Sequence, residues 1–143
     1  GAFLGLTLRH SKAHMIRSVL EGVAFSLRDC LELMKAMGIP VSEVRVSGGG
    51  ARSKLWRQIL ADVMNTGLAT VTTTEGASYG AALLAAVGSG VFGSVAEACD
   101  KTVRAVSSTN PCGDKARYQD LYQIYMEAYS KNRSLFHSLS TLP

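Results

Sequence analysis

Apolar residues recur along this chain at two different periods, and the switch between them sets out its elements. Ile16, Val19, Val23, Leu27, Leu31 and Met34 follow one another at steps of three and four after Ser11, a residue type suited to cap a helix. They predict a helix of about seven turns with one buried stripe. Gly38 is placed to end it, and Pro40 keeps it from resuming. Leu55, Trp56, Ile59, Leu60, Val63 and Met64 mark the apolar face of a second helix, closed by Gly67. Short strand-like runs lie around these helices: residues 2–8 ("AFLGLTL"), residues 44–47 ("VRVS") and "LATVTTT". "ASYGAALLAAV" predicts a helix of small residues ended by Gly88, and residues 94–100 a shorter one. "VRAVSSTNPCG" reads as an extended segment and loop. A last helix, over residues 114–136, carries Tyr118, Tyr122, Tyr125 and Tyr129 along one stripe.

The predicted order is strand, helix, strand, helix, strand, two helices, an extended segment and a final helix. Strands alternating with helices define an α/β layer structure with parallel strands. At 143 residues the chain is one domain, and its 47% hydrophobic content suffices for a buried core. Charge adds little to this picture. The net charge is +4, but Lys and Arg are scattered, the densest set being Arg52, Lys54 and Arg57, so no nucleic-acid partner is expected. Cys30, Cys99 and Cys112 are odd in number and lack CxxC spacing, which fits reduced thiols in a cytoplasmic protein. The longest apolar run, "YGAALLAAVGSGVF", is broken by glycines and too short to span a bilayer. The chain starts at Gly1 within a strand-like run and reads as a piece of a longer protein.

Candidate chemistry concentrates in "VRVSGGGARSKLWRQILAD". Gly48, Gly49 and Gly50 fall between a strand and a helix, at the strand's carboxyl end, where ligands sit in open parallel sheets. Without a Cβ the backbone lies flat against a ligand, and a helix N-terminus offers free N–H groups and a positive dipole end. A nucleotide fits such a site; a tight turn with no ligand is the plain alternative. No GK[ST] follows, so this is not a Walker loop. Gly48 and Gly50 half-match the dinucleotide fingerprint, with Ser53 in place of its third glycine and Glu75 after the next strand, where a ribose-binding acid belongs. An NAD-binding oxidoreductase domain is therefore a rival, although a strand and a long helix already precede this unit.

"SGGGARSKLWRQILADVMNTGLATVTTTEGASYGAALLAAVGSGVF" resembles the C-terminal domain of the FGGY carbohydrate kinases, and within them most the xylulose kinases. The upstream "GAFLGLTLRHSKAHMIRSVLEGVAFSLRDCLELM" and the tail "NPCGDKARYQDLYQIYMEAY" extend the resemblance over essentially the whole chain. It implies an actin-like ATPase (ribonuclease H-like) domain, with a mixed or parallel sheet flanked by helices. It implies that ATP or ADP rests on Gly48, Gly49 and Gly50. Ser53 falls where related kinases often carry an Asn that reaches the adenine, and a shorter serine suits a water-bridged contact. The remaining expectations follow from the family. Mg²⁺ arrives with the nucleotide, and the partners are a small sugar and a preceding N-terminal domain that supplies the catalytic Asp. This chain alone is then inactive, and the whole protein converts D-xylulose to xylulose 5-phosphate. Glycerol, ribulose, gluconate or a signalling sugar are alternative substrates, and a non-catalytic interaction module is a further rival. A homodimer is left open.

Other residues carry weaker signals. His10 and His14 are spaced like zinc ligands but lack a third, which favours helix capping. Asp62 sits mid-helix and reads as structural, and Trp56 as core. Arg17 and Glu21 are spaced for a surface ion pair, and Glu75 for stabilising a helix N-terminus. Gly76, Ala77, Gly80 and Ala81 read as a close-packing face, and the tyrosine stripe as a docking face.

Overall fold

The computed structural model describes residues 2–73 and 76–142. Three strands form one sheet in the order β1 (Val44–Val46), β2 (Leu68–Val71), β3 (Ala105–Thr109). Among the described residues five α-helices flank it: α1 (Lys12–Ala36), α2 (Lys54–Met64), α3 (Gly76–Gly88), α4 (Val95–Thr102) and α5 (Lys115–Ser140). β1 and β2 run parallel with Val44 opposite Leu68, and α2 is the crossover between them. β3 runs antiparallel to β2, with Leu68 opposite Thr109. The sheet is therefore mixed rather than all parallel, and the segment read only as extended is its third strand. A register shift between Thr70 and Val71 marks the end of regular pairing.

α2 is the centre of the domain. It packs against α1, α5 and the sheet, and its Ile59 and Val63, with Leu68 of β2, are the largest fully buried side chains. Phe25 and Leu31 of α1 and Tyr118 and Tyr122 of α5 complete the core. The Phe25 ring stacks on Tyr122 and Tyr125 at centroid distances of 6.0 and 5.4 Å. Arg28, also buried, ties the three helices together: it donates to Val63 O (3.0 Å) and to Gln119 Oε1, and lies over the Tyr122 ring. α3 and α4 pack on each other.

Several expectations change. Residues 2–8 form no strand; Gly5, at φ +76°, turns the segment out of an extended path. α1 forms where predicted, and Gly38 ends it in the left-handed conformation. Its buried face, however, runs through Ala24, Phe25, Arg28 and Leu31. Of the predicted stripe, only Leu31 is buried, while Ile16, Val19, Val23, Leu27 and Met34 are exposed. α2 is closed by Asn65 at φ 48°, whose short amide side chain tolerates that conformation, and not by Gly67. α5 begins at its Asp114 cap, as expected, and runs on to Ser140.

Candidate functional site

β1 ends against the glycine turn, and each of the three glycines stands there for a different reason. Gly48 has φ 83° and ψ −178°, a backbone conformation open essentially to glycine alone. Gly50 is closely packed: a Cβ there would lie 3.2 Å from Cδ1 of the Trp56 indole, which would have to give by a few tenths of an ångström. Gly49 has neither reason. Its φ is not in the left-handed region, and no described residue lies within 4 Å of where its Cβ would be. Gly49 is thus a bare stretch of main chain facing open space.

The turn does not feed directly into α2. Gly49–Arg52 form one 3₁₀ turn, closed by Ala51 N–H to Gly48 O and Ser53 N–H to Gly50 O, both 3.1 Å. Ser53 is the α2 N-cap, not a residue of its first turn: its Oγ accepts from Trp56 N–H at 3.2 Å. The hydroxyl is thereby turned back onto its own helix, while its proton stays available to an acceptor outside. Gly76, the first residue of α3, approaches the end of β1, since a Cβ there would lie 3.2 Å from Ser47 Oγ. A cleft beside the turn is lined by Ser47, Ala51, Arg57, Thr70 and Thr72.

Arg57 of α2 joins this turn to the end of β3, and Gln58 and Asp62 join α2 to the loop that follows β3. The Arg57 guanidinium donates through Nη1 to Ala51 O and through Nε to Thr109 Oγ1, the latter at 3.4 Å. Gln58 donates to Asn110 O (3.0 Å) and to Asp62 Oδ1 (2.9 Å). Asp62, buried, also accepts the backbone N–H groups of Cys112 (2.7 Å) and Gly113 (2.8 Å). Its carboxylate is a loop clamp, and Gly113 is bare because a Cβ would lie 2.9 Å from it. The i, i+4 spacing of Gln58 and Asp62 is visible in the sequence. Their targets some fifty positions downstream, and those of Arg57, are not.

The remaining candidates lie elsewhere. His10 Nδ1 accepts from Thr7 N–H (2.9 Å) and His14 Nδ1 from Ser11 N–H (3.1 Å), so each ring serves a local turn or cap. Among the described residues no group of three His, Cys, Asp or Glu side chains is placed to hold a metal. Arg17 pairs with Glu21 at 2.8 Å, and Tyr118 joins them by donating to Glu21 Oε1 and accepting from Arg17 Nη2. Tyr118 and Tyr122 dock and Tyr125 is half-buried, whereas Tyr129 stands exposed. Burial, then the hydrogen bond to Asp29, pushes the Tyr122 hydroxyl up to about 12. Glu75 lies outside the described residues. Cys30, Cys99 and Cys112 are free thiols. No described helix is long and apolar enough to cross a membrane.

Residues 1–89 match the family model described as the FGGY family of carbohydrate kinases, C-terminal domain. The chain belongs to this family. Over 142 residues it is 32% identical to a xylulose kinase of Bacillus subtilis, covering 99% of this chain and 28% of that protein. Among solved structures, the xylulose kinase of Rhodospirillum rubrum matches with a TM-score of 0.80 at 30% identity, over 95% of this chain and 28% of that one. A Plasmodium falciparum glycerol kinase solved with ADP matches with a TM-score of 0.73 at 26% identity, over 91% of this chain and 26% of that one. The chain spans less than a third of the length of these relatives. The expected fold class, an actin-like ATPase domain with a mixed sheet flanked by helices, is the one these neighbours share. Membership in this kinase family removes the NAD-dependent oxidoreductase reading of "GGGARS".

Proposed function

We propose that this chain is the nucleotide-holding part of an ATP-dependent sugar kinase, with adenosine resting on the main chain at Gly49. The observation that carries this reading is the contrast among the three glycines. Gly48 and Gly50 are accounted for by backbone and packing among the described residues, and Gly49 by nothing that the described residues place there. A bare, open peptide at the carboxyl end of a parallel strand suits a flat ligand held by backbone. Gly48 and Gly50 then act on the nucleotide indirectly, by setting the path of the turn. Ser53, whose oxygen already caps α2, is left with its proton to offer, directly or through a water.

In the whole protein the reaction would move the γ-phosphoryl group of ATP to a hydroxyl of a ketopentose, D-xylulose being the best-supported substrate. Mg²⁺ would be carried by the nucleotide and would neutralise charge on its phosphates. Asp62 is not free to serve as the base for this step, since it is buried and engaged with three donors. The base would come from the part of the protein outside this chain, and the chain alone would be inactive. Closure of the two parts would exclude water from the cleft.

The test is Gly49→Val in the full-length enzyme. Filling that open space is expected to raise KM for ATP by about tenfold or more, a loss of at least ~1.4 kcal/mol of binding, with the melting temperature and the sugar KM unchanged. A wild-type KM for ATP in a folded Gly49→Val enzyme would contradict the assignment.

A further inference from the structure

The glycine turn is poorly able to hold its own shape. Two 3₁₀ hydrogen bonds close it, and three of its residues have no side chain to restrict them. Its rigidity has to come from outside, and α2 supplies braces in sequence. The Trp56 indole backs Gly50, and Arg57 reaches back to the carbonyl of Ala51 inside the turn. The same guanidinium reaches Thr109 at the end of β3. The next residue, Gln58, and Asp62 one turn beyond it fix the loop that follows Thr109. The guanidinium therefore joins a compliant turn to a sheet position that is itself held on both sides.

We propose that Arg57 is a positioning residue for nucleotide binding, keeping the glycine turn in the one conformation on which adenosine rests. This rests on the reading of Gly49 given above. Arg suits the task because its planar fork offers several donors at fixed angles, so a single side chain spans both acceptors. A turn released from Arg57 spends less time in the binding conformation. Apparent nucleotide affinity falls by that fraction, while chemistry in the occupied site is unaffected.

The experiment uses the full-length parent enzyme with R57Q, R57K, T109V and the R57Q/T109V double variant, and Gly49→Val as a reference. R57Q is expected to raise KM for ATP by about tenfold while kcat and the sugar KM stay within about twofold. R57K keeps a donor for Ala51 O but cannot also span to Thr109, and is expected to raise KM for ATP by only about twofold to threefold. T109V should have an effect of similar size and add nothing in the R57Q background, because the two variants remove one interaction. A wild-type KM for ATP in R57Q, with Gly49→Val impaired, overturns the role of Arg57 and leaves the nucleotide turn standing. A wild-type KM for ATP in Gly49→Val overturns the turn itself. Parallel losses in ATP KM, sugar KM, kcat and melting temperature in R57Q would make Arg57 merely structural and also overturn the proposal. Should R57Q fail to fold, R57K and T109V decide: selective increases in KM for ATP support the proposal, and wild-type values in both contradict it.

Discussion

α1 and α2 each carry an apolar stripe in sequence, and the fold treats most of each in a different way. Of the α2 stripe, Ile59, Leu60, Val63 and Met64 are buried among the sheet, α1 and α5, Trp56 is half-buried rather than core, and Leu55 at the start of the helix is exposed. Ile16, Val19, Val23, Leu27 and Met34 of α1 stand exposed, and the helix instead packs through Ala24, Phe25, Arg28 and Leu31. Periodicity reports which face of a helix avoids water. It does not report whether the surface that will cover that face lies within the same stretch of chain. The glycine turn shows the same division on a smaller scale. Gly48 and Gly50 are accounted for by backbone angle and packing among the described residues, and Gly49 is not.

Substitutions that separate features satisfied from within from those that are not should therefore give unequal effects. The largest is expected at α2: Ile59→Ala, at 1% exposure, should cost about 2–5 kcal/mol in a denaturant titration, the range for emptying a sealed core position. Gly48→Ala comes next, at about 1–3 kcal/mol, because the replacement must adopt a conformation reserved for glycine. Gly49→Ala, which meets no atom and needs no special backbone angle, should leave the folded chain as stable as before or slightly more so.

A smaller effect is expected from pH at the α1–α5 contact. The Tyr122 hydroxyl rises from an ordinary 10.0 to about 12 on folding, mainly through burial and then through its hydrogen bond to Asp29. The folded state thus keeps a proton that the unfolded chain releases. This stability is fully present below pH 10.0 and is lost as pH rises towards 12. The melting temperature should fall over that window, and fall less steeply in Tyr122→Phe. An effect as small as that of Gly49→Ala belongs to the exposed stripe: Ile16→Ala, at 53% exposure, should change the stability of this chain by less than about 0.5 kcal/mol.

Local signals made most of the elements legible. Ser11, Ser94 and Asp114 mark helix starts, and Gly38 ends α1 in the left-handed conformation it was expected to supply. The strand predicted over residues 2–8 failed because an apolar, alternating run says nothing of a pairing partner, and Gly5 bends the segment away. The antiparallel β3 went unrecognised as a strand because four of its five residues are exposed, which leaves no hydrophobic signature. At the site, the glycine run was plain in the sequence. The separate duties of its three members were not, since they depend on a backbone angle at Gly48 and on how the Trp56 indole of the next helix packs. The braces from Arg57, Gln58 and Asp62 to residues 109–113 are long-range contacts that no local pattern encodes.

The most direct measurement is a crystal structure of the full-length enzyme with ADP, read at the distance between the nucleoside and the Gly49 backbone. The account predicts adenosine in van der Waals contact with the Gly49 main chain, at about 3.5–4 Å, with Gly48 still in its glycine-only conformation. A nucleoside bound elsewhere, or another side chain filling the space over Gly49, would contradict it.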